Sequence, residues 1–167
     1  MILAIDPGVR GCGCALLSPA APNLLRAAAY VPSSSTEERA SAWIEMTRAV
    51  EDWARNIANV TQVVVELPRV YQGQKQKGDP NDLIDLAAVV GALCASFDHR
   101  QRSETMPVRV FFPYEWKGQA PKEIIQERVK KRLSAAELEA VALPRAKGLA
   151  HNVWDAVALG LVHARRM

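Results

Sequence analysis

Three acidic residues stand where packing has little use for an acid. Asp6 ends the apolar run Met1-Ile2-Leu3-Ala4-Ile5 and opens Asp6-Pro7-Gly8, with Gly11 and Gly13 close behind. Such a run followed by proline and glycine reads as a buried strand entering a turn. Glu66 closes a second run, Thr61 to Val65. Asp155 is the lone acid in an Ala-, Val-, Leu- and Gly-rich helical segment that starts near His151. An Asp ahead of Pro-Gly also serves as a turn cap, and a helix acid can face water. Two strand-end acids and one acid on an apolar helix are harder to explain that way. A buried, unpaired carboxylate is costly, and a bound cation removes the cost.

Oxygen-only ligation by Asp and Glu selects a hard cation, Mg²⁺ or Mn²⁺, over zinc. Two such cations about 3.5–4 Å apart are a standard solution for phosphodiester cleavage. One lowers the pKa of the attacking water and the other stabilises the leaving 3′ oxygen. His151 and Asn152 lie four and three residues before Asp155, so either shares a helix face with it. The plainer reading of His151 is a helix-start residue that bonds backbone.

The elements that must position these acids follow from pattern. Strands are expected near 1–6, 12–18 and 24–31, forming an antiparallel meander. Ser33-Ser34-Ser35-Thr36 starts a helix to about residue 58, with Ser35 and Glu38 at capping-box spacing. Trp43, Thr47, Val50, Ala54 and Ile57 form its expected buried stripe. Residues 61–65 are a strand that ends at Glu66. A polar loop from Pro68 to Asp79 precedes a helix near 81–97 and a strand near 108–112. Pro113 to Pro121 is a connection, followed by a helix to about Leu133, a short helix capped by Ser134, and a last helix from His151. This pattern is α/β: one mixed sheet, a three-strand meander plus parallel strands, with helices on both faces. A right-handed crossover puts the first and fourth strands parallel and side by side, so that Asp6 and Glu66 emerge at one edge.

The bulk composition agrees with a single domain spanning 1–167. Hydrophobic content is 49% and charged content 23%, ordinary values for a globular chain. No apolar stretch is long enough to span a membrane, and no basic segment precedes the first strand as in a secretory signal. Cys12, Cys14 and Cys94 read as small apolar residues in a reducing cytoplasm. The net charge of +3 is unevenly spread: residues 109–132 hold seven bases against three acids. Arg69, Lys75 and Lys77 stand in a segment without an acid, and Arg165 and Arg166 lie near the end. Clustered bases fit a polyanion partner, although each cluster alone is also an ordinary solvated face.

Taken in order, Ala4-Ile5-Asp6-Pro7-Gly8, Val63-Val64-Val65-Glu66, Trp116-Lys117-Gly118 with Pro121-Lys122, and His151-Asn152 through Asp155-Ala156 resemble the RuvC-type Holliday junction resolvases. The short versions of phage genomes are the nearer likeness. The resemblance covers almost the whole chain. It implies a ribonuclease H-like five-stranded mixed sheet, a homodimer, and metal-dependent symmetric nicking of four-way DNA junctions that leaves 5′-phosphate and 3′-hydroxyl ends. By position it makes Asp6, Glu66 and Asp155 metal-binding carboxylates, with Mg²⁺ or Mn²⁺, two per site. The family's fourth ligand is an acid or His that falls on Asn152 here; His151 is favoured because imidazole is the better ligand and can transfer a proton. Lys117 and Lys122 match lysines that contact the scissile phosphate or its neighbours. The loop after Glu66 matches a junction-facing loop, with Tyr71 as its aromatic and Arg69, Lys75 and Lys77 around it. The helix near 81–97 matches the dimerisation helix.

No nucleotide cofactor and no membrane partner are expected, and the expected location is the cytoplasm of a bacterial or phage-infected cell. Actin-like ATPases share the opening Asp-Gly pattern but need two such domains, for which 167 residues are too few. A hybrid-cutting ribonuclease shares the acids but has no reason for a basic, aromatic loop beside Glu66. A broader flap and Y-junction nuclease, and a non-catalytic junction-binding scaffold, are the remaining alternatives.

Overall fold

Five short, mostly apolar runs make the sheet. In the computed structural model, which describes residues 1–18, 24–33, 38–70, 79–98 and 107–167, they are β1 (Ile2–Asp6), β2 (Gly11–Leu17), β3 (Leu25–Pro32), β4 (Gln62–Glu66) and β5 (Val108–Phe111). The spatial order is β3-β2-β1-β4-β5. The first three pair antiparallel, and β4 runs parallel to both β1 and β5. The expected meander with parallel additions is therefore the observed sheet. Every residue of β1 and β2 is buried, as central strands covered on both faces require.

Two helical layers supply that cover. On one face, α1 (Arg39–Ile57) and α2 (Pro80–Asp98) pack Met46, Val50, Ala54, Val90 and Leu93 against Leu3, Ile5, Leu16 and Val63. On the other, α4 (Lys122–Arg132) and α6 (Ala150–His163) pack Ile125, Val129, Val153, Val157 and Leu161 against Ala4, Ala15, Leu17 and Val64. Small residues on this second face let α6 lie close to the strands. A Cβ on Gly13 of β2 would come within 2.0 Å of the Asn152 carbonyl oxygen, and one on Gly160 of α6 within 2.4 Å of Leu17. Glycine at these two places is what sets the depth of α6.

Shorter pieces connect the layers. The stretch expected as a plain connection after β5 holds one helical turn, α3 (Pro113–Trp116), because Pro113 suits a first helical position and the Glu115 carboxylate accepts the Phe112 N–H at 2.5 Å. Ser134 caps α5 (Ala135–Glu139) through a capping box with Glu137, as its sequence indicates. Beyond α5 the chain closes part of the β3 edge: the Ala28 N–H donates to the Ala140 carbonyl and the Ala142 N–H to the Ala28 carbonyl. A short 3₁₀ turn, Lys147–Leu149, then leads into α6.

The first helix departs from expectation. Its first helical residue is Arg39, behind Glu38 at the N-cap; Ser35, the other half of the expected capping box, lies outside the described residues. Its buried face is Ala42, Met46, Thr47, Val50, Glu51 and Ala54. Trp43 is only half-buried, and Ile57 is 45% exposed in the last turn. Thr47, Val50 and Ala54 of the expected stripe are buried, and the ends of the stripe differ. The small Ala42 and flexible Met46 seat deeper against the strands than a rigid indole can. Among the described residues no helix is long and apolar enough to cross a membrane.

Candidate active site

Side chains alternate across a strand, and this alternation aims the two strand-end acids. Ala4 and Val64 face α6 while Ile5 and Val65 face α1 and α2. Asp6 and Glu66, one residue further on, therefore return to the α6 side. Parallel pairing of Ile5 with Val65 brings them to adjacent strand ends. Asp155 stands on α6 one turn after the contact between Asn152 and Gly13, and Gly13 is the register partner of Asp6. Asp6 is 8% exposed and Asp155 6% exposed, so these two acids are nearly cut off from water, while Glu66 is partly exposed.

Lys117, which caps the C-terminus of α3, enters this group. Its Nζ stands 3.1 Å from Glu66 Oε2 and 3.1 Å from Asp155 Oδ2. The Trp116 indole Nε1–H donates to Glu66 Oε2 at 2.7 Å, and the Lys117 ammonium lies 4.6 Å from the centre of the Trp116 ring. Burial, then the charges of Glu66 and Asp155, pushes the pKa of Asp6 well above the usual carboxylate range, and Lys117 offsets only part of this. Burial also raises Glu66 despite the Lys117 charge. For Lys117, burial acts to lower the pKa, but Glu66, Asp155 and Asp6 together raise it. The group is an excess of buried negative charge around one ammonium.

That imbalance fits a hard divalent cation. Asp155 Oδ1 is buried with no hydrogen-bond partner among the described residues, and an orphaned carboxylate oxygen is costly unless a cation takes it. The donors are oxygens, as Mg²⁺ and Mn²⁺ prefer. As the side chains stand, no three His, Cys, Asp or Glu among the described residues are arranged to hold a metal ion; the Lys117 ammonium bridges Glu66 and Asp155.

The remaining residues singled out from sequence divide. His151 is half-buried, and its Nδ1 donates to the Gly148 carbonyl at 2.7 Å. A carbonyl only accepts, so a proton sits on Nδ1 and Nε2 is left out of this bond. Among the described contacts none links His151 or Lys122 to the three acids; Lys122 is exposed at the start of α4. Asn152 is buried against the Gly8 turn and Gly13. Arg69 is exposed, with its guanidinium 4.7 Å from the centre of the Tyr114 ring. Tyr71, Lys75 and Lys77 lie outside the described residues. Trp116 is the site residue that sequence reasoning missed as an actor. Its signal was the Trp-Lys-Gly segment, but only the α3 turn aims the indole at Glu66.

The fold and the acids together define the class: a ribonuclease H-like α/β domain with a carboxylate group at the ends of β1 and β4. No protein-family profile matches the chain. The chain is 28% identical over 169 residues to the crossover junction endodeoxyribonuclease RuvC of two Helicobacter pylori strains, covering 99% of this chain and 97% of each relative. Among solved structures, Thermus thermophilus RuvC in complex with a Holliday junction substrate superposes with a TM-score of 0.68 at 20% identity, covering 98% of this chain and 92% of that one. The yeast mitochondrial Holliday junction resolvase Ydc2 superposes with a TM-score of 0.61 at 13% identity, covering 99% and 78%. The likeness to the RuvC-type resolvases read from the sequence is thus borne out along nearly the whole chain, and so is the fold.

Proposed function

We propose that this protein is a metal-dependent endodeoxyribonuclease that resolves four-way DNA junctions by paired, symmetric nicks leaving 5′-phosphate and 3′-hydroxyl ends. The observation that carries the reading is the convergence of Asp6, Glu66 and Asp155 around Lys117, inside a fold shared with RuvC. Asp6, Glu66 and Asp155, with His151 as fourth ligand, would hold two Mg²⁺ or Mn²⁺ ions, which supply an activated water and charge stabilisation at the leaving oxygen. Lys117 balances the acids and reaches the incoming phosphate; Trp116 holds Glu66 in place for both tasks. The His151 Nδ1 bond to Gly148 leaves Nε2 to ligate or to accept a proton.

The basic residues give the substrate its grip. Arg128, Lys131 and Arg132 line an open groove with Met167. They recur at three and four residues, so they share one face of α4, where duplex phosphates would neutralise them. Lys122 contacts phosphates nearer the site, and Arg69, Tyr71, Lys75 and Lys77 meet the branch. The second copy of the chain docks on the outer face of α2, where Ile84 is 67% exposed and Ala88, Gly91 and Ala95 are exposed beside it. Small residues of this kind let two helices approach closely.

The test is nicking of a labelled four-way junction beside matched linear duplex, flap and RNA–DNA hybrid, with Mg²⁺, Mn²⁺ or EDTA. Paired cuts near the branch that require metal are the expected result. Preferential cutting of the flap or the hybrid would reassign the substrate. Tight junction binding without any cleavage would make the protein a scaffold.

A further inference from the structure

Beside the acids, β5 runs out into an array of planar groups, with Tyr114 and Arg69 exposed and Phe112 half-buried. Glu66 pairs in register with Phe111, and the Leu67 N–H donates to the Phe111 carbonyl. The segment after Phe111 therefore starts at the same sheet edge as Glu66, and Trp116 at its far end returns to bond Glu66. Between them, the rings of Phe112 and Tyr114 stack with centroids 5.7 Å apart and planes 12° apart. Arg69, which leaves β4 on the neighbouring strand, lays its guanidinium 4.7 Å from the Tyr114 centroid. Tyr114 is 47% exposed. Three residues span at most about 11 Å of chain, so Tyr114 lies within that reach of Phe111.

An exposed ring such as Tyr114, braced by a half-buried one, contributes little to a core but suits a flat ligand. A nucleobase freed from pairing stacks on aromatic rings and guanidinium planes without regard to sequence. A paired base inside a duplex presents no free face. Resting on the junction reading above, we propose that Tyr114, supported by Phe112 and Arg69, is a stacking platform for an unpaired base at the branch point. It would set the preference for branched over linear DNA and hold the adjoining phosphate beside the carboxylates. The Arg69 charge would lie next to the backbone of the same nucleotide.

The test uses the full chain, in the metal-free state, and a four-way junction carrying 2-aminopurine at the branch, with a linear duplex of the same arms. For the wild type, binding should quench or shift the probe as the base stacks. Tyr114→Ala should weaken junction binding by about 10- to 100-fold, leave duplex binding unchanged and abolish the probe response. Tyr114→Trp should keep both. Equal losses on junction and duplex, or an unchanged probe response in Tyr114→Ala, would overturn the platform. So would loss of the response in Tyr71→Ala but not in Tyr114→Ala. A wild type that binds junction and duplex alike without metal, and does not nick the junction when Mg²⁺ is added, would instead count against the junction reading itself, which separates the two failures.

Discussion

At the scale of single residues, the proposed cation site holds buried charge at a cost in stability. Asp6 is buried among two other acids, so its ionised form is penalised in the folded chain. Asp6→Asn should therefore raise the melting temperature of the metal-free protein by a few degrees, about 1 kcal/mol. It should also remove the stabilisation that Mg²⁺ gives the wild type, and lower junction cleavage by about 100-fold or more. Thermal melts with and without Mg²⁺, next to single-turnover nicking, check all three. In the proposed mechanism Trp116 acts through Glu66, to which its indole N–H donates, rather than on DNA. Trp116→Phe keeps the ring under Lys117 but loses the indole N–H, so Mn²⁺ affinity should fall by about 10- to 100-fold with the fold intact. Direct Mn²⁺ titration in the absence of DNA measures this, and unchanged affinity would deny Trp116 the role.

At the scale of elements, α6 is the piece whose placement makes the site. Gly13→Ala pushes a methyl group into the backbone around Asn152. It should cost about 1–3 kcal/mol and shift Asp155, so that stability and cleavage fall together. Gly148→Ala, where a Cβ meets nothing within 4 Å, is the matched control. Glu137 ties α5 to the start of β3 through the Leu25 N–H and to the tail after α6 through Arg166. Burial alone would raise its pKa, but Arg166, the Ser134 and Leu25 N–H groups and the Ser134 hydroxyl overcome burial and hold it at about 2, against 4.5 in the free side chain. A carboxylate depressed in the folded state stabilises fully above its unfolded value and loses that contribution as pH falls through the folded one. Up to about 3 kcal/mol should thus disappear between pH 4.5 and 2. Denaturant melts of Glu137→Gln should show a flatter slope across that window than the wild type.

At the scale of the whole molecule, symmetric cutting requires two sites held in fixed relation. The proposed dimer face is the outer face of α2, and Gly91 sits in open space there. The lone chain should accept Gly91→Arg without strain, while a dimer joined at this face should not. Sedimentation should find the wild type dimeric and the variant monomeric. The variant should nick junctions singly rather than in pairs. A variant that remains dimeric would place the interface elsewhere.

Much of this architecture was legible in the residues. Apolar runs ending in Asp6 and Glu66 marked β1 and β4, because a strand's side chains alternate and its turn residues punctuate it. The crossover rule put the two strands side by side, and Asp155 stood out as an acid on an apolar helix. The Ser134 box was readable because it is local. The rest depended on contacts far apart in sequence. The buried face of α1 was set by how Ala42 and Met46 seat on the sheet, which periodicity alone cannot resolve. Lys117 could be named as a cation near the site, but its bridge between Glu66 and Asp155 needed α3, β4 and α6 to meet. The indole bond from Trp116 and the stack of Phe112, Tyr114 and Arg69 arise where β4 and β5 end at one edge. The sequence by itself therefore determined which groups carry charge and which segments bury them. The tertiary structure decided which of those groups meet, because close packing through Gly13 and Gly160, and not pattern, sets the last few ångströms.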